Sequence, residues 1–170
     1  MKVTLPLIHQ WLQCHELEVT ACAPKPDQPV PTLETAIPIH RFCNEPLTLH
    51  LSLHRADYLP LGEAPPHLKF FHVDVVYPVK IEEGDLLDGL KVISLLNKIA
   101  WLGALKVDYE RKEVSYRAVL PLTDRKDLEP VVVHFVKIAA ETAAFFGTSI
   151  EEIFCEHKDI YEYSHSRHLI

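Results

Sequence analysis

The sequence has few glycines, no closely spaced cysteines, no long hydrophobic run and no excess of positive charge. Only 5 of its 170 residues are glycine, which leaves little material for the glycine-rich loops that bind nucleotide phosphates. The 4 cysteines stand far apart without a C-x-x-C pair, a spacing that disfavours a structural zinc site. No apolar run approaches the roughly 20 residues of a membrane-spanning helix, so we expect no membrane association.

The charge balance excludes a further class of partner. The net charge is -7, from 17 basic and 24 acidic residues, and an acidic chain is poorly suited to bind nucleic acid. The N-terminus, Met1 to Pro6, lacks the pattern of a secretory signal, and we therefore expect a cytoplasmic protein. Hydrophobic residues make up 48% of the chain, a globular proportion at a length that suits one domain over 1–170.

Periodic hydrophobic patterns predict the secondary structure. Four leucines alternate with polar residues between 47 and 54, which is typical of a strand with one buried face. Four prolines within 24–31 predict an extended loop, and 156–170 reads as a polar tail. The patterns predict eight elements: a helix over 4–15, strands over 36–44, 47–54 and 68–79, a helix over 86–101, strands over 105–109 and 114–120, and a helix over 130–147. This order, α-β-β-β-α-β-β-α, predicts an α+β fold with a largely antiparallel five-stranded sheet packed with helices.

The segment LLNKIAW at 95–101, followed by LKVDY at 105–109 and VSYRAVL at 114–120, carries a family resemblance. Together with the element order, it resembles the type III secretion chaperone-like fold and the YbjN-type bacterial family that shares it. The resemblance covers nearly the whole chain apart from the proline loop and the tail. It implies a homodimer, a protein-binding surface and no catalytic centre, and we expect no cofactor. We therefore expect a non-enzymatic protein-binding or chaperone-like module.

The helix over 86–101 carries two apolar stripes, whereas a surface helix of a monomer needs one. The first stripe consists of Leu86, Leu90, Ile93 and Ala100, with Asn97 in its middle. The second stripe, nearly opposite, consists of Val92, Leu95 and Ile99, and we interpret it as a dimer interface. The alternative is that it packs under a loop of the same chain. Asn97 is expected either to cap a strand end or loop carbonyl or to fix register at an interface.

The last helix is predicted to bury one face in the core. That face consists of Val131, Phe135, Ile138, Thr142 and Phe145, widened by Val132, Val136, Ala139 and Ala143. Gly147 is predicted to end the helix.

Histidines on the predicted sheet support an alternative function. His50 and His54 share a polar strand face but stand about 13 Å apart, too far for one metal ion. His72 and Asp74 share a face of the next strand and could approach either histidine. This set is an alternative candidate for a zinc or iron site, or for the site of a small-ligand protein or enzyme. The tail adds His157, His165 and His168, which we interpret as part of a frayed polar segment.

Overall fold

A computed structural model describes residues 2–24, 30–42, 45–56, 67–82 and 86–155. The described elements, in chain order, are α1 (Leu5–Cys14), β1 (Thr20–Cys22), β2 (Thr32–Phe42), β3 (Glu45–Arg55), β4 (Lys69–Lys80), α2 (Leu86–Ile99), β5 (Ala104–Asp108), β6 (Glu113–Leu122) and α3 (Glu129–Ile150), followed by a π-helical turn over Glu151–Cys155. The centre of the proline loop and the polar tail with its three histidines lie outside the described residues.

The strands form one antiparallel sheet in the order β1-β2-β3-β4-β6-β5. The α+β prediction is confirmed, with six strands instead of five. The additional strand is β1, which pairs with β2 over three residues. Its sequence is too short for a period-of-two pattern to separate it from a loop.

The first helix follows from local sequence signals. Thr4 precedes it in an extended conformation, and its hydroxyl accepts a hydrogen bond from Leu7 N. Ile8, Trp11 and Leu12 recur at three- and four-residue steps, and all three are buried. The helix predicted over 4–15 is therefore confirmed, although His15, which continues the same spacing, is exposed.

The inner face of the sheet packs against α3. The rings of Phe71 on β4 and Phe135 on α3 lie 6.0 Å apart, and those of Tyr116 on β6 and Phe146 on α3 lie 5.9 Å apart. The buried Tyr77 hydroxyl donates a hydrogen bond of 2.9 Å to the Ala143 carbonyl. Burial raises the pKa of Tyr77 well above its usual value, because an ionised phenolate would lose its water without a compensating charge.

The predicted orientation of α3 was wrong in part. Phe135 is buried as expected, but Val131, Ile138 and Phe145 are exposed by 48%, 45% and 42%. The helix is apolar nearly all round, so its sequence did not single out the side that meets the sheet. Gly147 does not end the helix either. The helix α3 continues to Ile150, and Gly147 is buried within it.

The predicted interface stripe of α2 also needs correction. Val92 is only 2% exposed and belongs to the core of its own chain, so it cannot lie on a dimer surface. Leu95 is half-buried, and Ile99 is partly buried against the core. The face that α2 buries consists of Gly89, Val92, Ile93 and Leu96, between the two predicted stripes.

One helical segment of the described chain, Glu129–Cys155, is long and apolar enough to cross a membrane. In its most apolar window, 44% of the residues are buried inside the protein. The packing of α3 on the sheet accounts for the buried part of this apolar character, and Val131, Ile138 and Phe145 belong to the exposed part.

Candidate functional site

The turn between α2 and β5 is held by three separate contacts. Asn97 Nδ2 donates to the Leu105 carbonyl at 3.1 Å, and Leu105 N donates to Asn97 Oδ1 at 2.7 Å. The Tyr116 hydroxyl donates to the Leu102 carbonyl at 2.9 Å. Gly103 has a φ of 72°, and a Cβ there would lie 2.5 Å from the Arg117 carbonyl oxygen. Of the two roles expected for Asn97, the structure shows the capping of backbone groups on a strand, and the turn has a defined conformation.

This turn presents Trp101 to solvent. The side chain is 95% exposed, the highest value among the large hydrophobic residues of the described chain. Beside it lies a groove of about 340 Å³ between the end of α2 and the outer side of α3, which we call the Trp101 groove. The groove is lined by Ile99, Ala100, Trp101, Ile138, Glu141, Thr142, Phe145 and Phe146. It is mainly apolar and contains one carboxylate.

Two residues of the groove, Ile138 and Phe145, belong to a line of exposed apolar side chains on α3. Val131, Ile138 and Phe145 follow one another at intervals of seven residues. Seven residues make almost two helical turns, so the three side chains lie on the same side of the helix. We call these three residues the α3 strip. The strip and Trp101 together form an apolar surface on the helical side of the protein.

The opposite side of the sheet carries the histidines. In one row across four strands, Glu34 on β2 stands opposite His50 on β3, His50 opposite Asp74 on β4, and Asp74 opposite Arg117 on β6. His50 Nδ1 is buried and lies 3.3 Å from Glu34 Oε1, within ion-pair range but without hydrogen-bond geometry. Arg117 Nε donates to Asp74 Oδ1. Acidic and basic side chains thus alternate along the row, and the pair of opposite charges formed by Asp74 and Arg117 stabilises the register of β4 and β6.

A second group lies next to this row. The rings of His54 and His72 are 4.5 Å apart, and His54 Nε2 lies 2.8 Å from Ser52 Oγ. Burial lowers the pKa of His54 below its usual value, with Asp74 opposing and Arg117 adding to the effect. Burial also lowers the pKa of His72, and the neighbouring His54 lowers it further. Both imidazoles are therefore predominantly neutral near pH 7.

The structure brings together only part of the predicted His/Asp set. His54 and His72 are in contact, whereas His50 is paired with Glu34 and Asp74 is bound to Arg117. Within the described ranges, no three His, Cys, Asp or Glu side chains are arranged to hold a metal ion. Among the described residues of the outer face, Glu34, Asp74 and Ser52 each lie against a histidine or arginine side chain.

Sequence reasoning missed the exposed surface around Trp101. The available signal was the position of this tryptophan in the short connection between α2 and β5, two residues before Gly103. Its significance depends on exposure, which hydrophobic periodicity does not report. No protein-family model matches the chain, and no curated protein shows a significant match.

Proposed function

We propose that the protein is a non-enzymatic protein-binding module with a chaperone-like fold that acts as a homodimer. The observation that carries this proposal is the apolar surface formed by Trp101, its groove and the α3 strip. A tightly held turn displays Trp101, so the exposure of this side chain follows from the packing of Asn97, Gly103 and Tyr116. Large exposed apolar patches on folded domains mark surfaces that contact other chains.

The free energy available from burying Trp101 in an interface is large enough to support association at this surface. Burying a tryptophan side chain removes roughly 150–250 Å² from water. At about 25 cal/mol per Å², that burial contributes about 4–6 kcal/mol before the entropic cost of association. Aromatic residues at the centre of interfaces contribute disproportionately to binding. Trp101 is therefore the residue whose removal we expect to weaken association most.

Solution mass tests the proposal. Multi-angle light scattering is expected to give twice the chain mass for the wild type and a lower average for Trp101→Glu. Val76→Glu is a matched control, because Val76 is 49% exposed on the opposite face of the sheet. A wild-type protein that remained monomeric across a dilution series would contradict the homodimer. Equal loss of mass in both variants would point to general instability instead of an interface.

The edges of the sheet indicate where a separate partner segment would bind. On the β5 edge, the Asn97 side chain is hydrogen-bonded to the N–H and C=O of Leu105 that point away from β6. These two backbone groups are therefore not available to pair with an added strand. On the other edge, β1 pairs only with Thr32–Glu34. No other described strand pairs with that side of β2, so an extended segment could add along its remainder. Co-purification from the source cell followed by mass spectrometry tests for such a partner, and a background-level result would contradict the protein-binding role.

A second candidate function is a small-ligand or metal-binding protein, or an enzyme, with its site on the outer face of the sheet. The contact between His54 and His72, with Ser52 beside them, is the observation that favours it. Metal analysis of the purified protein tests this candidate directly. Stoichiometric zinc or iron that disappeared in His72→Gln would favour it over the protein-binding module.

A further inference from the structure

The even spacing of the α3 strip suits contact with a second copy of the same helix. Ile138 stands at its centre, seven residues from Val131 on one side and from Phe145 on the other. If two α3 helices pack antiparallel about a two-fold axis through Ile138, each Ile138 meets its own copy. Each Val131 then meets Phe145 of the other chain. A two-fold contact requires such a self-complementary surface, and a seven-residue apolar repeat is the pattern of helices that pack along a common seam.

We propose that a second copy of this chain packs antiparallel along α3, with Ile138 on the two-fold axis and the Trp101 groove closed by the other protomer. This inference rests on the homodimer proposed above and assigns its interface. It places the dimer contact on α3 instead of on the stripe of α2, whose Val92 is buried in the chain's own core.

The charges beside the strip fit the same arrangement. His134, Lys137 and Glu141 are exposed on the outer side of α3. Glu141 follows Ile138 by three residues, and His134 precedes it by four. In an antiparallel pair, the residues that follow Ile138 in one chain lie beside those that precede Ile138 in the other. At 1.5 Å per residue these two side chains are level within about 1.5 Å. Lys137 of the other chain comes level with Glu141 within about 3 Å by the same measure. The acidic group of each protomer therefore faces basic or titratable groups of its partner.

The groove provides the shape that the partner helix fills. It lies between the end of α2 and the part of α3 that carries Ile138 and Phe145. In the antiparallel register, Val131 of the second copy arrives at the level of Phe145, which lines the groove. Trp101 flanks this position and would be covered by the start of the partner α3. The two-fold axis relates the two grooves of the dimer, so a single contact between the chains would close both.

Cysteine cross-linking tests the axis. The native residues Cys14, Cys22, Cys43 and Cys155 are first replaced by serine to remove competing thiols, and circular dichroism checks that the chain remains folded. Ile138→Cys in this background is expected to form a covalent dimer on mild oxidation or with a short bismaleimide. The matched control Val76→Cys, of similar exposure but on the opposite face, is expected to remain a single chain.

A mixing experiment tests the register. Val131→Cys and Phe145→Cys proteins are each expected to cross-link weakly alone and efficiently when mixed, because each residue faces the other type across the axis. In the chain with native cysteines, Ile138→Glu is expected to lower the average mass, whereas Leu95→Glu, which changes the predicted stripe of α2, is expected to retain it.

The outcomes separate this inference from the broader proposal. A wild-type dimer that showed neither cross-link, or that was dissociated by Leu95→Glu and not by Ile138→Glu, would overturn the α3 interface and leave the homodimer standing. A wild-type monomer at every concentration would overturn both. A monomer that instead sedimented with phospholipid vesicles through Ile138 and Phe145 would also overturn the second-copy assignment.

Discussion

Replacing Asn97 by alanine removes the contact that joins the end of α2 to the edge strand β5. Two hydrogen bonds to the Leu105 backbone disappear, at 3.1 Å and 2.7 Å. Each such bond contributes a net 0.5–1.5 kcal/mol or so, and more if the exposed backbone groups find no water. Leu105 is only 3% exposed, so replacement water has poor access to it. Alanine recovers about 0.5 kcal/mol through its higher helix propensity.

We therefore expect Asn97→Ala to lower the free energy of unfolding by about 2 kcal/mol. For a domain of this size, each kcal/mol corresponds to about 2–4 °C, so the melting temperature should fall by about 4–8 °C. Urea unfolding followed by circular dichroism measures the free energy. Amide hydrogen exchange at Leu105 provides a local measurement, because loss of the Asn97 side chain exposes that N–H directly.

Two further variants make the reasoning specific. Ser94→Ala lies on an exposed position of the same helix and changes helix propensity without touching β5. Asn97→Asp keeps an acceptor for Leu105 N but places a carboxylate oxygen against the Leu105 carbonyl, so it should be less stable than Asn97→Ala at pH 7. If Asn97→Ala and Ser94→Ala agreed within about 0.5 kcal/mol, the usual range for surface changes, the assigned role of Asn97 would be refuted.

Three other outcomes are expected. Gly103→Ala should destabilise the protein strongly in thermal denaturation, because its φ of 72° is unfavourable for alanine and the added Cβ would meet the chain at 2.5 Å; a melting temperature equal to wild type would contradict this. The pKa values of His54 and His72 are lowered in the folded state. The stability that these two imidazoles contribute is therefore present above the unfolded pKa of about 6.5, and it is lost as the pH falls through the lower folded pKa values. Urea titrations from neutral to acidic pH should therefore show a shallower stability loss for a variant with both histidines replaced by glutamine, and an unchanged slope would exclude them as the source. With Trp11→Phe, the fluorescence of Trp101 should move to shorter wavelength as protein concentration rises, and emission that is independent of concentration would argue against its burial on association.

Local sequence signals predicted the regular elements well. The cap by Thr4 and the spacing of Ile8 and Leu12 act within one or two helical turns, and the structure contains both features. The alternation of leucines in β3 likewise depends only on the pleat, which sends successive side chains to opposite faces. The α+β fold follows from the order of these elements, since few layer arrangements bury their apolar faces.

The candidate site was harder to predict because it depends on which of several apolar faces meets the sheet. On α3, Phe135 and Ile138 look equivalent in the sequence, yet Phe135 packs on Phe71 and Ile138 faces solvent. On α2, the buried face lies between the two predicted stripes, and this places Val92 in the core. The contact between His54 and His72 required the register of β3 and β4, which no local pattern specifies.

By itself the sequence determined the three helices, five of the six strands, the antiparallel sheet and the strand-capping role open to Asn97. These properties arise from interactions between residues close in the chain or from the period of a hydrophobic pattern. Only the tertiary structure decided that Trp101 projects from a held turn and that Val131, Ile138 and Phe145 form an exposed line. The physical reason is that burial is a property of the whole packed chain: α3 is apolar on most sides, and the sheet covers only one of them.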